Sequence, residues 1–98
     1  MKIIWSHNAT SSYFEILDFL LFLWNEKVES DFIILVDEIE ELLLKDNYLG
    51  KPYKGNIREI ILHKNASLYY EVNIEKDFLE FLLFKDNRQN PESYLTFL

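Results

Sequence analysis

Three consecutive strand-like segments in the second half of the chain constrain its fold more than any other feature. They run from Ile57 to His63, from Ser67 to Ile74 and from Phe78 to Lys85. Only three residues separate each segment from the next, and connections this short join antiparallel neighbours. The second half is therefore predicted to form a three-stranded antiparallel meander.

The middle segment indicates which face of this sheet is covered. Its residues alternate with a period of two, so successive side chains point to opposite faces. In antiparallel sheets one face commonly packs on the core while the other stays open. The packed set is predicted to be Leu68, Tyr70, Val72 and Ile74, and the open set Ser67, Tyr69, Glu71 and Asn73.

The first half supplies the elements that cover the packed face. Lys2 to Trp5 is predicted to be a short strand, and Ser6 is suited to cap a helix that runs to about Asn25. A second helix is predicted from roughly Glu29 to Lys45. Because the joint between the helices is short, they are expected to form an antiparallel hairpin. The expected fold class is α+β, in the order β-α-α-β-β-β, with a loop over residues 49–56 and a four-stranded sheet.

The first helix carries more apolar residues than one face can bury. Residues at helical spacing form a predicted core stripe of Ala9, Tyr13, Ile16, Leu17, Leu20, Leu23 and Trp24. Four further apolar residues lie off that stripe, namely Phe14, Phe19, Leu21 and Phe22. They are expected to contact a partner. The alternative is that the helix is covered on two sides within its own domain.

Composition indicates one domain in the cytoplasm. Ninety-eight residues, 49% of them hydrophobic, suffice for one core, so residues 1–98 are expected to form a single domain. No segment reaches the roughly 18 apolar residues that a membrane span requires, and the N-terminus lacks the pattern of a signal peptide. The chain has no cysteine, which excludes disulfides and thiolate chemistry.

The charge is distributed unevenly along the chain. The net charge is −7, which argues against general affinity for nucleic acid. Between His7 and Asp46 ten acids face only two lysines, whereas from Asn47 to Leu98 seven acids balance seven bases. The helical hairpin is therefore expected to present an acidic surface, and a cationic site is possible only in the second half.

Metal and nucleotide chemistry lack the residues that they need. His7 and His63 lie in different predicted elements, without the spacing of a metal site. The two glycines, Gly50 and Gly55, cannot form a phosphate-binding loop, and no serine lies in a nucleophile elbow. We therefore expect neither a metal nor a cofactor.

One set of residues suggests chemistry at the open face of the sheet. Cations held together there would stabilise a phosphorane-like transition state, and a tyrosine would move a proton. The set consists of Lys51, Lys54, Arg58, Arg88 and Tyr94. The alternative is structural: Arg58 pairs with a neighbouring acid such as Glu71 or Glu80, and the lysines only solvate a loop.

The chain resembles the RelE/ParE superfamily of toxins from type II toxin–antitoxin systems, over nearly its whole length. The resemblance rests on five short segments in the same order, and the last is similar to the ends of ParE-like "plasmid stabilisation" proteins. They are Ile3-Ile4-Trp5-Ser6, Leu49-Gly50-Lys51-Pro52-Tyr53, Ile57-Arg58-Glu59-Ile60, Leu68-Tyr69-Tyr70-Glu71-Val72 and Asp86-Asn87-Arg88-Gln89-Asn90-Pro91.

The resemblance implies a growth-inhibiting toxin that a cognate antitoxin neutralises. The toxin is expected to form either a homodimer or a hetero-oligomer with that antitoxin. RelE-like members cleave messenger RNA on the ribosome without a metal, and Lys51, Lys54, Arg88 and Tyr94 occupy comparable positions. ParE-like members bind DNA gyrase. In that case Arg58, Asn87, Arg88 and Gln89 are the expected target-binding residues.

One departure from the RelE pattern favours the ParE-like branch. RelE-like members typically carry an arginine just before the Leu-Tyr-Tyr segment, where this chain has Ser67. Losing that cation removes a phosphate clamp. A ParE-like, gyrase-directed toxin is therefore the main hypothesis, with a RelE-like ribonuclease and an inactive member that acts only as a binding module as alternatives.

Overall fold

The computed structural model describes residues 1–63 and 66–87, and within them it confirms the predicted α+β architecture. An N-terminal strand is followed by two helices and an antiparallel meander. The elements are β1 (Lys2–Trp5), α1 (His7–Leu23), α2 (Glu26–Lys45), β2 (Lys51–Lys54), β3 (Ile57–His63), β4 (Ala66–Asn73) and β5 (Phe78–Asp86).

Within the described residues the sheet has five strands rather than the predicted four, in the order β1-β5-β4-β3-β2. Strand β1 pairs with β5 in parallel, and the other neighbours are antiparallel. The additional strand, β2, lies in the predicted loop over residues 49–56. Its proline is tolerated because β2 is an edge strand, and the turn that joins it to β3 uses Gly55 at a φ of 55°.

Helix α1 begins where β1 stops, and Ser6 fixes this point. Its Oγ accepts the N–H of Ala9 at 3.0 Å, which caps the helix as predicted. The same hydroxyl donates to the carbonyl of Leu82 at 2.9 Å, and the backbone N–H of Ser6 donates to the carbonyl of Phe81 at 3.0 Å. The helix cap is thus bonded directly to β5.

Ser12 continues this attachment one turn later. It is buried, and its Oγ accepts the N–H of Phe84 at 2.9 Å. Its hydroxyl donates to the carbonyl of Asn8 at 2.6 Å. Strand β1 pairs with β5 only as far as Phe81. The next backbone groups of β5 therefore bond to α1 instead of to a strand, which satisfies polar groups that burial would otherwise penalise.

The tip of the helical hairpin differs from its prediction. Helix α2 begins at Glu26, three residues before the predicted start, because the Oδ1 of Asn25 accepts the N–H of Val28 at 3.0 Å. Leu23 and Trp24 were predicted to belong to the core stripe of the first helix, yet they are 48% and 63% exposed. Helix α1 ends at Leu23, so the helical spacing does not extend to Trp24.

Most of the surplus apolar residues of α1 are indeed exposed. Phe14, Leu21 and Phe22 expose 56%, 44% and 86% of their surface, whereas Phe19 is half-buried. The core lies on the opposite side of the helix. There Trp5 contacts the rings of Tyr13, Phe81 and Phe84 at centroid distances of 5.0, 5.3 and 5.1 Å. In the described part of the chain, no helix is long and apolar enough to cross a membrane.

The attachment of α1 to β5 yields a stability prediction. Replacing Ser12 with alanine leaves the buried N–H of Phe84 without its acceptor, which is expected to cost about 1–3 kcal/mol of unfolding free energy. Urea denaturation of the purified protein measures this. Ser11→Ala is the matched control on the same helix, and a change within about 0.5 kcal/mol is expected for it. Equal effects of the two substitutions would contradict the assigned role of Ser12.

Candidate functional site

The predicted site residues Lys51 and Lys54 lie on the exposed edge strand β2. Lys51 is directly opposite Glu59 on β3, and Lys54 is opposite Ile57. An irregularity in the pairing between Pro52 and Lys54 inserts Tyr53 as an extra residue. Both lysines therefore oppose residues of the same face, which is the face turned away from the helices.

Arg58 lies on the other face of the sheet. It is directly opposite the buried Tyr70. It also lies two and four residues before the core residues Ile60 and Leu62 on β3, and therefore shares their face. Its Nε donates to the carbonyl of Gly50 at 2.8 Å, and its Nη2 donates to the carbonyl of Tyr48 at 3.1 Å. One sequence-based interpretation placed Arg58 on the open face, and the other paired it with Glu71 or Glu80. The structure shows neither arrangement.

The Arg58 guanidinium instead holds the loop between α2 and β2. It lies 5.3 Å from the centre of the Tyr48 ring, in addition to its two hydrogen bonds to the loop backbone. Five donors in a rigid plane suit arginine to bind several carbonyls at once. The guanidinium of Arg58 is thus engaged with the chain itself. Its target-binding role stays a prediction.

Tyr70 fixes the same loop from the core. Its hydroxyl accepts the N–H of Gly50 at 2.9 Å and donates to the carbonyl of Asn47 at 2.9 Å. A Cβ at Gly50 would lie 2.8 Å from the Tyr70 ring, so the loop approaches too closely for any other residue. Burial raises the pKa of Tyr70, whereas the Gly50 N–H and the Arg58 charge act in the opposite direction. The hydroxyl is therefore a neutral donor and acceptor at physiological pH.

The open face is less bare than its sequence pattern indicated. Tyr69 is 1% exposed and packs against Leu83 and Ile57. The ring of Tyr53 covers it at a centroid distance of 4.7 Å. Burial chiefly raises the pKa of Tyr69, and its hydrogen bond to Glu59 and the charge of that carboxylate raise it further. An aromatic patch therefore occupies the part of this face beside β2.

The charges of the open face are segregated. The strand registers place Glu59, Glu71 and Glu80 on the three central strands, and Glu71 is directly opposite Glu80. The lysines that oppose residues of this face lie on the edge strand β2 or, for Lys85, at the end of β5. The sequence pattern indicates this position for Glu59, since it lies two residues from Ile57 and from Ile61 and therefore shares their face.

Ser67, at the position where RelE-like proteins carry an arginine, forms a local hydrogen bond. It is 2% exposed, and its Oγ accepts the side-chain N–H of Asn87 at 3.2 Å. Asn87 is thereby held at the end of β5, beside the open face.

The predicted site residues Arg88, Gln89 and Tyr94 lie outside the described residues. Within residues 1–63 and 66–87, no group of three or more His, Cys, Asp or Glu side chains is placed to hold a metal ion.

Comparison with known proteins finds solved structures with a similar fold. No known protein family and no curated protein matches the sequence. A chain of the chromosomal ParDE TA system from P. aeruginosa is 17% identical, with a TM-score of 0.72 over 88% of this chain and 95% of that chain. The YoeB/ParE toxin from Agrobacterium tumefaciens is 14% identical, with a TM-score of 0.66 over 88% and 98% of the two chains.

A third solved structure, of a YafQ mutant from E. coli, is 13% identical, with a TM-score of 0.59 over 88% of this chain and 92% of that chain. All three alignments extend over most of both molecules. The chain therefore has the RelE/ParE-like fold, and the resemblance that the sequence indicated is confirmed at the level of the fold.

The Tyr70 contacts predict a selective loss of stability. Tyr70→Phe removes the partner of two loop backbone groups, which is expected to cost about 1–3 kcal/mol of unfolding free energy. Tyr48→Phe is the matched control, because it removes a hydroxyl from the 52% exposed residue beside Arg58 and keeps the ring. Urea denaturation of both variants measures the difference, and a loss in Tyr48→Phe as large as in Tyr70→Phe would contradict the assignment.

The raised pKa of Tyr69 predicts a loss of stability in alkali. A tyrosine whose pKa is higher in the folded than in the unfolded protein stabilises the fold up to pH about 10, the pKa of a free tyrosine. This contribution is lost as the pH rises toward the folded-state pKa. Between pH 9 and 12 the parent is therefore expected to lose more stability than Tyr69→Phe, measured by urea denaturation at each pH. Parallel losses would exclude this role of Tyr69.

Proposed function

We propose that this chain, which has the fold of the ParE, YoeB and YafQ toxins, is the toxin of a type II toxin–antitoxin module. It acts as a ParE-like inhibitor of growth, by binding an essential protein such as DNA gyrase, and a cognate antitoxin neutralises it. Its place of action is the cytoplasm, where this target and the antitoxin are found. The fold similarity covers most of the chain and of each similar structure, which supports the toxin class.

The charges of the open face support a protein target over an RNA substrate. Cleavage of RNA develops negative charge on the reacting phosphate, which preorganised cations must stabilise at hydrogen-bond distance. Arg58 lies on the other face of the sheet, where it binds the carbonyls of Gly50 and Tyr48, and Ser67 stands where RelE-like members carry an arginine. The central carboxylates Glu71 and Glu80 lie directly opposite each other and repel a phosphate further.

The proposed contact surface for the target is the end of β5 together with the open face of the sheet. Asn87 is attached to Ser67 there, and it precedes Arg88 and Gln89 in the chain. Lys51 and Lys54 add exposed cations on β2, at the far edge of the same face. Side chains that lie on a rigid sheet suit recognition of a partner, because little of their order must be acquired on binding.

A RelE-like ribonuclease is the second candidate, and one observation favours it. Lys51 and Lys54 both oppose residues of the open face, where an RNA strand would meet them. In this alternative they bind phosphates, while Arg88 stabilises the transition state and Tyr94 transfers a proton.

A supercoiling assay distinguishes these functions. Purified protein is expected to inhibit gyrase, and Arg88→Ala to weaken the inhibition about tenfold or more, as loss of a central arginine does at interfaces. Lys76→Ala is the matched control, because this cation lies in the turn between β4 and β5, at the other end of the sheet. Growth after induction is measured for the same variants.

Other outcomes contradict the proposal in distinct ways. Unchanged supercoiling with cleavage of translated message, lost in Arg88→Ala, would establish the ribonuclease. Unchanged supercoiling, intact transcripts and normal growth without an antitoxin would indicate an inactive member that acts as a binding module.

A further inference from the structure

A cavity of about 320 Å³ opens at one end of the sheet, beside the loop that joins α2 to β2. The strand registers place Pro52, Arg58 and Val72 of its lining on the face that the helices cover. None of the lining residues that the structure describes belongs to α1 or α2, so the cavity lies where the helices do not reach. We call it the Arg58 pocket, and its main lining residues are Tyr48, Pro52, Asn56, Arg58, Val72 and Ile74.

The Arg58 guanidinium is held rigidly at this pocket. Its Nε and Nη2 each donate to a loop carbonyl, at 2.8 and 3.1 Å, and its carbon lies 5.3 Å from the centre of the Tyr48 ring. A guanidinium has five N–H donors, so three remain for the Tyr70 hydroxyl and for an occupant of the pocket. Donors fixed in this way bind a ligand with little loss of conformational entropy.

The charge of this guanidinium lacks a counter-ion in the part of the chain that the structure describes, because no carboxylate there forms an ion pair with Arg58. Asp46, in the same loop, accepts the N–H of Tyr48 at 3.2 Å instead. Glu59 and Glu71 are close along the strands, but the registers place them on the opposite face. A carboxylate would compensate this half-buried cation for lost water, and it matches the planar fork with two parallel hydrogen bonds. The pocket therefore favours a carboxylate.

The walls of the pocket indicate the rest of the ligand. Val72 is half-buried, and Tyr48 and Ile74 are 52% and 62% exposed. An apolar body that covers these side chains removes apolar surface from water. The volume is near the lower end of the range for ligand pockets, roughly 300–1,000 Å³, which suits a small molecule. The net charge of −7 repels an acidic protein segment or a nucleic acid more than it repels a single carboxylate.

We infer that the Arg58 pocket binds a small organic monocarboxylate with an apolar body. The carboxylate accepts hydrogen bonds from the Arg58 guanidinium, while the body packs on Tyr48, Val72 and Ile74. The side-chain amide of Asn56, which also lines the pocket, offers a further donor. The pocket lies on the face opposite to the proposed target surface, so the inference does not rest on the proposed function.

Calorimetric titration of the full-length protein with three matched compounds tests the inference. Phenylbutyrate is the probe, and phenylbutanol and phenylbutylamine carry the same apolar body with an uncharged or a positive head group. Phenylbutyrate is expected to bind at a single site and about tenfold or more tightly than either counterpart, because only its carboxylate forms charge-assisted hydrogen bonds with Arg58. Its affinity is expected to fall as salt is added.

A substitution of an exposed lining residue locates the site. Ile74→Glu places a carboxylate at the pocket and removes an apolar wall, so it is expected to weaken phenylbutyrate binding about tenfold or more. Ile61→Glu is the matched control, since Ile61 is 63% exposed and lies on the open face. It is expected to bind as the parent does. Because both positions are exposed, the two variants are expected to keep the fold, which circular dichroism checks.

A second substitution tests the guanidinium itself. Arg58→Lys keeps the positive charge but loses the planar fork, and it is expected to weaken phenylbutyrate binding about tenfold or more. Because Arg58 also holds the loop between α2 and β2, urea denaturation checks that this variant folds. If it does not fold, the two glutamate variants decide alone.

Other outcomes overturn the inference. Absence of binding would exclude a carboxylate site, and equal binding of the three compounds would reduce it to apolar adsorption. Equal weakening by Ile74→Glu and Ile61→Glu would mean that the net charge governs binding rather than the pocket. A capped peptide with one glutamate beside a phenylalanine would identify a protein partner instead, if it bound in preference to phenylbutyrate and lost binding in Ile74→Glu.

The titration does not depend on toxicity. If phenylbutyrate binds as expected while supercoiling, transcripts and growth are unaffected, the proposed function fails and the inference stands. If gyrase is inhibited and phenylbutyrate does not bind, the reverse holds.

Discussion

The fold depends on how helix α1 completes the edge of strand β5. Strand β1 is four residues long and pairs with less than half of β5. Ser6 and Ser12 then bond to the backbone at Phe81, Leu82 and Phe84, where a longer strand would otherwise be needed. A helix that replaces a strand in this way is fixed in position relative to the sheet, because a buried N–H without an acceptor is costly. The hairpin inherits its orientation from these contacts.

A second set of contacts places the opposite edge of the sheet. Tyr70 and Arg58 hold the backbone at Asn47, Tyr48 and Gly50, and β2 starts directly after this loop. The position of Lys51 and Lys54 is therefore a result of core packing rather than of contacts that the lysines make. Changes in the core near Tyr70 are expected to move these lysines even though they do not touch it.

Local patterns predicted the order of elements well, because the period of two in β4 and the helical spacing in α1 are both strong signals. They failed where one contact decided the outcome. Strand β2 was missed since Pro52 and the nearby glycines are typical of loops, and only pairing with β3 makes this segment a strand. The prediction for Arg58 chose the open face, although its spacing of two and four residues from Ile60 and Leu62 indicates the face that the helices cover. Tyr69 was expected to be open, but Tyr53, carried by the missed strand, covers it.

Strand β2 also decides where the sheet ends. A free strand edge is a template on which another chain can add, and proteins limit this with short strands, lysines, prolines and bulges. Strand β2 has all four, in Lys51, Pro52, Lys54 and the irregular pairing at Tyr53. The same lysines that the sequence assigned to a binding site therefore also oppose edge-to-edge aggregation. Lysines at this edge thus have a use that does not depend on activity, so their presence alone is not a sign of catalysis.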